Sequence, residues 1–169
     1  MNTSTLKDSP RTSVNELTKT ALVAALYVAV TILLSVISFG AVQLRLSEMF
    51  NYLALYNKRY VVAVTMGVIL ANFMSPTWML DVPVGGIATF LVLILCRTVT
   101  KKITNEIVRM VVTALIFAIS MFTVAGQLSI LADLPFWPTW LAVGLGELLS
   151  MTVGGIVIYF LNKKIDLSK

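Results

Sequence analysis

The 169-residue chain is strongly apolar: 58% of its residues are hydrophobic, 12% are charged, and the net charge is +5. Soluble domains have roughly 45–50% apolar and about 25% charged residues, so this composition is typical of an integral membrane protein. A spanning helix needs about 20 residues, and the length therefore allows one domain of roughly five or six crossings. The absence of histidine excludes imidazole as a base or metal ligand, and the single cysteine, Cys96, excludes an internal disulfide.

Six apolar segments follow a short polar lead. Residues 1–16 are rich in Ser, Thr, Asn and Lys without apolar periodicity, so we expect a cytoplasmic lead with little fixed structure. Residues 17–169 form a single membrane domain, whose predicted spanning helices are 17–39, 47–57, 60–74, 82–97, 106–127 and 138–162. The second helix is short, about 16 Å at 1.5 Å per residue, and is expected to tilt or to use flanking residues. The predicted fold class is all-α, with six transmembrane helices.

The basic residues indicate the orientation, because Lys and Arg of short loops are retained on the cytoplasmic side. With six crossings and a cytoplasmic N-terminus, about twelve of the 13 basic residues lie in the cytoplasm, and Arg45 is the exception. Five crossings would move Lys163, Lys164 and Lys169 outside and weaken this asymmetry. We therefore expect both termini to be cytoplasmic.

Four acids are expected in the outer part of the bundle or inside it. Glu48 and Asp81 begin the second and fourth predicted helices, Asp133 lies in an outer loop, and Glu147 follows about ten residues into the last helix. That depth is about 15 Å in a hydrocarbon layer of about 30 Å, where carboxylates usually face a bundle interior or an aqueous cavity. Glu147 is therefore the best candidate for ligand binding. The alternative is a protonated or Arg45-paired carboxylate that only holds the bundle together.

Polar and aromatic residues surround the expected site. The polar interruption 39–48, which contains Arg45, is expected to roof a ligand pocket that opens on the outer face. Asn72, near the outer end of the third helix, is either a ligand contact or a bridge between helices. Phe136 and Trp137 lie in a rigid Leu-Pro-Phe-Trp-Pro turn above the last helix, where a flat ring could cover a planar ligand.

Small side chains recur every four residues in the first helix, at Ala21, Ala25 and Ala29. Faces of this kind let membrane helices approach closely, because packing contact drives their association in lipid. Two consecutive repeats favour a docking face over the alternative that alanine is simply common in such helices.

Several short motifs, taken together, carry a family resemblance. They are Ser38-Phe39-Gly40 with Gln43, Arg45, Ser47 and Glu48; Ala71-Asn72; Leu80-Asp81-Val82 with Gly85 and Ala88-Thr89; and Val143-Gly144-Leu145-Gly146-Glu147-Leu148. With these motifs the chain resembles the QueT family, which are substrate-binding S components of energy-coupling factor (ECF) transporters assigned to queuosine precursors. The resemblance covers nearly all of the chain beyond the first dozen residues.

The resemblance implies a division of labour between subunits. An S component has six helices, captures a micronutrient at the extracellular side and docks on a transmembrane coupling subunit driven by two cytoplasmic ATPases. The resemblance implies that docking uses the family's AxxxA motif. Ala21 and Ala25 match this motif best, and Ala29 continues it. The resemblance implies no cofactor in this chain, ATP being used by the partners, and no nucleic-acid partner. It implies the plasma membrane of a Gram-positive bacterium as the location.

The implied ligand is a 7-deazaguanine, such as the aminomethyl or cyano precursor, or queuine. Its adjacent ring N–H and amino donors suit a single carboxylate, and Glu147 is expected to accept both. Asn72 or Gln43 would donate to the carbonyl oxygen of the ligand, and Phe136 or Trp137 would stack on its ring.

Charge implies further roles and leaves alternatives open. Asp81 or Glu48 would face the cation of an aminomethyl ligand, and Arg45 is expected to tie down Glu48 or another carboxylate. One alternative is an S component for another heterocyclic vitamin, and another is a structural subunit without a ligand. A third is a metal-dependent membrane enzyme with Glu48, Asp81 and Glu147 as ligands, although the wide spacing of these acids does not favour it.

Overall fold

The computed structural model describes residues 10–39 and 43–167, with side chains from residue 14 onward. Within these ranges the regular structure is entirely helical, which confirms the predicted all-α class. The helices in chain order are α1 (Pro10–Leu33), α2 (Ser35–Ser38), a 3₁₀ helix (Leu46–Tyr52) that continues into α3 (Leu53–Tyr56), α4 (Arg59–Asn72), α5 (Trp78–Leu80), a π-helical turn (Asp81–Gly85), α6 (Gly86–Thr100), α7 (Glu106–Ser120), α8 (Phe122–Ala132) and α9 (Phe136–Lys164).

Four helical stretches of the described chain are long and apolar enough to cross a membrane. They are Val14–Leu33, Trp78–Thr100, Glu106–Ala132 and Phe136–Lys164. The helices found in the second and third predicted spans, 46–56 and Arg59–Asn72, are shorter than the roughly 20 residues of a full crossing. Length and apolarity therefore give four candidate crossings within the described residues.

The first helix begins earlier than its predicted boundary at residue 17. It starts at Pro10 and so takes in part of the lead for which little fixed structure was expected. Proline suits the first position of a helix, because the backbone N–H that it lacks would have no partner there. The hydroxyls of Thr18 and Thr20 donate to carbonyl oxygens one turn back, each at 2.9 Å, so these polar side chains fit within the helix. The polar lead adds about two turns to α1.

The 3₁₀ helix lies in the centre of the bundle, in contact with α1, α4 and α9. Its Phe50 side chain is buried beside Tyr27 of α1, with the two ring centroids 6.3 Å apart. On the other side, a β-carbon at Gly154 of α9 would overlap Met49, so the absence of a side chain permits this close approach. In the same way, a β-carbon at Gly67 of α4 would lie 2.7 Å from the β-carbon of Tyr27. Small residues thus bring the helices together around the short central segment.

Two arginines cap the end of that segment. Arg109 of α7 donates from Nη2 to the carbonyl oxygen of Leu55 at 2.6 Å, and Arg97 of α6 donates to the carbonyl oxygen of Ala54. The last carbonyls of a helix have no partner within the helix, and cationic donors satisfy them well.

Further polar contacts gather at the same end of the molecule. Glu106, the first residue of α7, accepts hydrogen bonds from the Tyr56 hydroxyl and, at 2.8 Å, from Nδ2 of Asn162. Arg59, the first residue of α4, lies 3.9 Å from Glu16. The beginnings of α4 and α7 and the ends of α3, α6 and α9 therefore meet at one end, together with many of the basic residues. Helices that run alternately up and down produce such an arrangement.

Candidate functional site

A polar pocket lies at the other end of the bundle, where the 3₁₀ helix meets α4, α6, α7, α8 and α9. Six of the eight predicted ligand-binding residues line it: Gln43, Arg45, Glu48, Asn72, Asp81 and Glu147. Residues without a predicted ligand role complete the lining: Val68, Gly85, Ala88, Thr89, Val92, Phe117, Ser120, Met121, Thr123, Val124 and Gln127.

Glu147 presents an acceptor atom without a partner to this pocket. The residue is 3% exposed, and its Oε1 atom has no hydrogen-bond partner among the described residues. It interacts electrostatically with Glu48 and Arg45. Buried polar atoms without a partner are rare in native proteins, and each one calls for an explanation such as a ligand. The arrangement can therefore accept hydrogen bonds from a bound molecule.

Glu48, by contrast, is fully engaged within the protein. Its two oxygens accept from the Tyr27 hydroxyl and from Nδ2 of Asn51, each at 2.6 Å, and Nη1 of Arg45 lies 3.8 Å away. These contacts fix the 3₁₀ helix to α1 and leave Glu48 with less capacity for a ligand.

Arg45 joins the segment 43–48, at one side of the pocket, to α4. Its Nη1 donates to Oδ1 of Asn72 at 3.3 Å, and its guanidinium lies 5.2 Å from the centre of the Phe39 ring. Burial lowers the pKa of the Arg45 guanidinium, but the neighbouring carboxylate of Glu48 favours the charged form, and the pKa ends above its ordinary value. Arg45 is therefore a permanent cation beside the acids, and it lies next to Glu48, one of the carboxylates that it was expected to tie down.

Backbone strain marks the beginning of the same segment. Gln43 has a φ of +49°, in the left-handed region that residues other than glycine rarely adopt. Strain of this kind, of the order of 1–3 kcal/mol, often accompanies functional sites. The conformation brings Gln43 into the lining of the pocket.

Asn72 bridges α4 to the π-helical turn. Its Nδ2 donates to the carbonyl oxygen of Asp81 at 2.8 Å, which leaves its Oδ1 for Arg45. The turn contains Pro83, which has no backbone N–H to donate, and such turns widen a helix locally. A β-carbon at Gly85 would lie 2.5 Å from Nδ2 of Asn72, so this glycine makes room for the amide. The bridging role and the position in the pocket, which the sequence left as alternatives, occur together.

Asp81 is held by hydroxyl groups of its own loop. Its Oδ2 accepts from Ser75 and, at 2.6 Å, from Oγ1 of Thr77. Its Oδ1 has a longer contact, 3.3 Å, with Nε2 of Gln127 on α8. One oxygen is thus firmly engaged and the other only weakly, so Asp81 retains capacity for a cationic group.

A break between α7 and α8 brings Gln127 to the pocket. The helix is interrupted at Met121, where the hydroxyl of Ser120 donates to the Phe117 carbonyl at 2.7 Å and that of Thr123 to the Ser120 carbonyl at 3.0 Å. Gln127 was not among the residues predicted to contact a ligand. One signal could have found it: it is the sole amide side chain within an apolar stretch, 106–132.

Phe136 and Trp137, which were predicted to cover a ligand, do not line the pocket. They begin α9, where the two rings are in edge contact at 5.2 Å, and Trp137 is 67% exposed. Trp140, one turn further, stacks on Phe136 and donates from Nε1 to the Ile119 carbonyl at 3.1 Å. An aromatic cluster of this kind is typical of a membrane interface. Among the residues that the structure describes, the aromatic ring that lines the pocket is that of Phe117.

The predicted docking residues lie on the outside of α1. Ala21, Ala25 and Ala29 are all exposed, while Ala24 and Tyr27 of the same helix are buried against the bundle. The alanine face is therefore accessible on the described chain, and the opposite face holds the 3₁₀ helix.

The acids do not form a metal centre in the part of the chain that the structure describes. No group of three or more Asp, Glu, Cys or His side chains there is arranged to hold a metal ion.

Several apolar helices of spanning length around a polar pocket define a multi-pass membrane protein that handles a small molecule. Residues 17–163 match the family described as QueT transporter, and the chain belongs to this family. One curated relative, the Queuosine precursor transporter QueT of Lactococcus lactis subsp. cremoris (strain MG1363), is 40% identical to it over 88% of this chain and 93% of the relative. No solved structure matches the chain significantly. The family recognised from the motifs is thus confirmed, and the protein is a transporter rather than an enzyme.

Proposed function

We propose that the chain is the S component of an ECF importer for queuosine precursors. The observation that carries this proposal is the open carboxylate of Glu147, buried at 3% exposure and without a partner on Oε1. The name of the Lactococcus relative supplies the substrate class. A 7-deazaguanine has a ring N–H beside an amino group, and a carboxylate accepts two such donors in a paired, charge-assisted geometry.

Other pocket residues complete the recognition that we propose. Gln43 offers an amide donor for the carbonyl oxygen of the ligand, and Phe117 offers an apolar ring beside the heterocycle. Asp81, with one weakly engaged oxygen, faces the ammonium group of an aminomethyl ligand. Arg45 and Asn72 hold the roof of the pocket against its wall.

The topology that we propose has six crossings with both termini in the cytoplasm. It is supported by the meeting of α3, α4, α6, α7 and α9 at one basic end and by the polar pocket at the other. The short helices 46–56 and Arg59–Asn72 cross as inner members of the bundle, where neighbours rather than lipid surround much of their surface. The pocket then opens at the extracellular side.

Transport requires partners in this proposal. Ligand binds from outside, and the exposed face of Ala21, Ala25 and Ala29 docks on a transmembrane coupling subunit. Two ATPase subunits then drive the delivery of the ligand to the cytoplasm, and this chain itself holds no cofactor. Transport by the purified chain alone in liposomes would contradict this division of labour.

The direct test is a titration of the detergent-purified chain with aminomethyl-deazaguanine, cyano-deazaguanine, queuine, guanine and riboflavin. A ligand that binds the folded state stabilises it by RT ln(1 + [L]/Kd), about 2.7 kcal/mol at a hundredfold excess over Kd. We expect thermal stabilisation by the deazaguanines and none by riboflavin. Stabilisation by riboflavin alone would favour a heterocyclic vitamin as the substrate, and no response to any ligand would contradict the proposal.

A further inference from the structure

An apolar groove on the outside of the bundle is separate from the polar pocket. It runs between α7 and α9 and has a volume of about 380 Å³. Ala114 of α7 and Gly155 of α9 leave this space, because both have little or no side chain. The volume falls within the range of about 300–1,000 Å³ found for small-molecule sites. Val111 and Ile156, which border the groove, are more than half exposed, so it opens sideways towards lipid.

The groove has the length of one membrane leaflet. On α9 its lining extends from Leu148 to Phe160, which is about 18 Å at 1.5 Å per residue. Half of a hydrocarbon core of about 30 Å is about 15 Å. A single acyl chain that runs from the membrane surface to the midplane therefore matches the groove in length.

A cation lies at the surface end of the groove. Nζ of Lys163 is 4.3 Å from the centre of the Tyr159 ring and 5.8 Å from that of Phe160, and both rings line the groove. One acid of this region, Glu106, already accepts hydrogen bonds from Tyr56 and Asn162, and Asp166 follows Lys163 by three residues. A lysine beside interfacial aromatic rings suits the phosphate of a lipid headgroup.

We propose that this groove binds one acyl chain of an anionic phospholipid, whose phosphate pairs with Lys163. The bound chain fills the space between α7 and α9 and covers Tyr52 and Met151, which lie at its floor. This site is independent of the ligand proposed for the polar pocket. It requires only that the helices are embedded in a bilayer.

Native mass spectrometry of the delipidated full chain tests the proposal, with phosphatidylglycerol and phosphatidylcholine of identical acyl chains as probes. For the intact sequence we expect at least about fivefold tighter binding of phosphatidylglycerol. Lys163→Gln should abolish that preference, whereas Lys102→Gln, at an exposed lysine outside the groove, should preserve it. Thr152→Phe fills the groove from an exposed lining position and should reduce binding of both lipids. Val153→Phe, at the next position and outside the groove, should leave the binding of both lipids unchanged.

Three results would overturn the proposal. They are equal binding of the two lipids by the unaltered chain, an unchanged preference in Lys163→Gln, and equal losses in Thr152→Phe and Val153→Phe. A dimer of the unaltered chain that Thr152→Phe dissociates would assign the groove to a second copy instead. The binding of a deazaguanine by each variant gives an independent check of folding. If Thr152→Phe does not fold, the comparison of Lys163→Gln with Lys102→Gln still tests the proposed lipid site.

Discussion

Replacement of Glu147 by glutamine should weaken ligand binding without lowering the stability of the unliganded protein. If the two donors of a deazaguanine edge bond to this carboxylate, the variant keeps one acceptor oxygen and presents an amide N–H₂ to the other donor. A hydrogen bond to a charged group contributes about 1.5–3 kcal/mol. Loss of one such bond raises Kd by roughly 10- to 100-fold, since each 1.4 kcal/mol is a factor of ten. Calorimetric titration with the ligand that binds the unaltered chain measures this change.

The same substitution should not destabilise the unliganded protein. Oε1 of Glu147 has no partner to lose, and a buried unpaired acceptor costs about 1–3 kcal/mol, more when it is charged. The melting temperature without ligand should therefore stay the same or rise. Glu106→Gln is the matched control at the other end of the bundle: it weakens contacts with Tyr56 and Asn162 and should lower stability without changing Kd. A structural carboxylate at Glu147 would give a lower melting temperature and an unchanged Kd, which would refute the ligand role.

Three other substitutions test how the site is held. Tyr27→Phe removes the hydroxyl that donates to Glu48 at 2.6 Å and should destabilise the protein by about 1–3 kcal/mol in thermal or chemical unfolding; an unchanged stability would contradict this. Gly67→Ala places a β-carbon 2.7 Å from that of Tyr27 and should cost about 1–3 kcal/mol by the same measurement, whereas a neutral effect would mean that α1 and α4 can separate freely. Gly85→Ala displaces the Asn72 amide and should weaken ligand binding in a titration, and full affinity would show that Asn72 is dispensable.

Much of the pocket could be predicted, because polar side chains of a membrane-spanning chain are costly in lipid and usually face the bundle interior or an aqueous cavity. Glu147 lies deep in the last helix, and a carboxylate at that depth must face an interior or a cavity. Asn72 and Asp81 stand out in the same way at the ends of two other helices. The sequence therefore predicted six of the polar residues that the pocket brings together from different elements, but not Gln127 of α8.

Which of the pocket acids has hydrogen-bond partners within the protein could not be predicted, because this depends on how the helices pack. Glu48 and Glu147 are both acids in apolar surroundings, and nothing local indicates that Tyr27 and Asn51 engage one and not the other. Phe136 was predicted as a cover for the ligand because it lies in a rigid turn above the last helix. Its stacking on Trp140 of the same helix, outside the lining of the pocket, was not predicted.

The central segment illustrates a second limit of sequence reasoning. Its position was predicted at 47–57, close to the helix found at 46–56, because apolar residues are bounded there by polar ones. Its 3₁₀ geometry and central place were not predicted. Both depend on contacts with distant residues, such as the approach of Gly154 to Met49.

The charges of the pocket favour a cationic ligand over a neutral one. Arg45 lies beside Glu48, so that pair is close to neutral, and the acids left for a ligand are Glu147 and Asp81. A neutral cyano-deazaguanine can use the first of these, whereas an aminomethyl-deazaguanine can also place its ammonium group beside the weakly engaged oxygen of Asp81. In the proposed site, one additional charged hydrogen bond of about 1.5 kcal/mol should make the aminomethyl form bind roughly tenfold more tightly. Asp81→Asn should remove most of that difference and leave the affinity for the cyano form nearly unchanged. Equal affinities of the unaltered chain for the two precursors would mean that Asp81 does not bind the ammonium group and only accepts hydrogen bonds within its own loop.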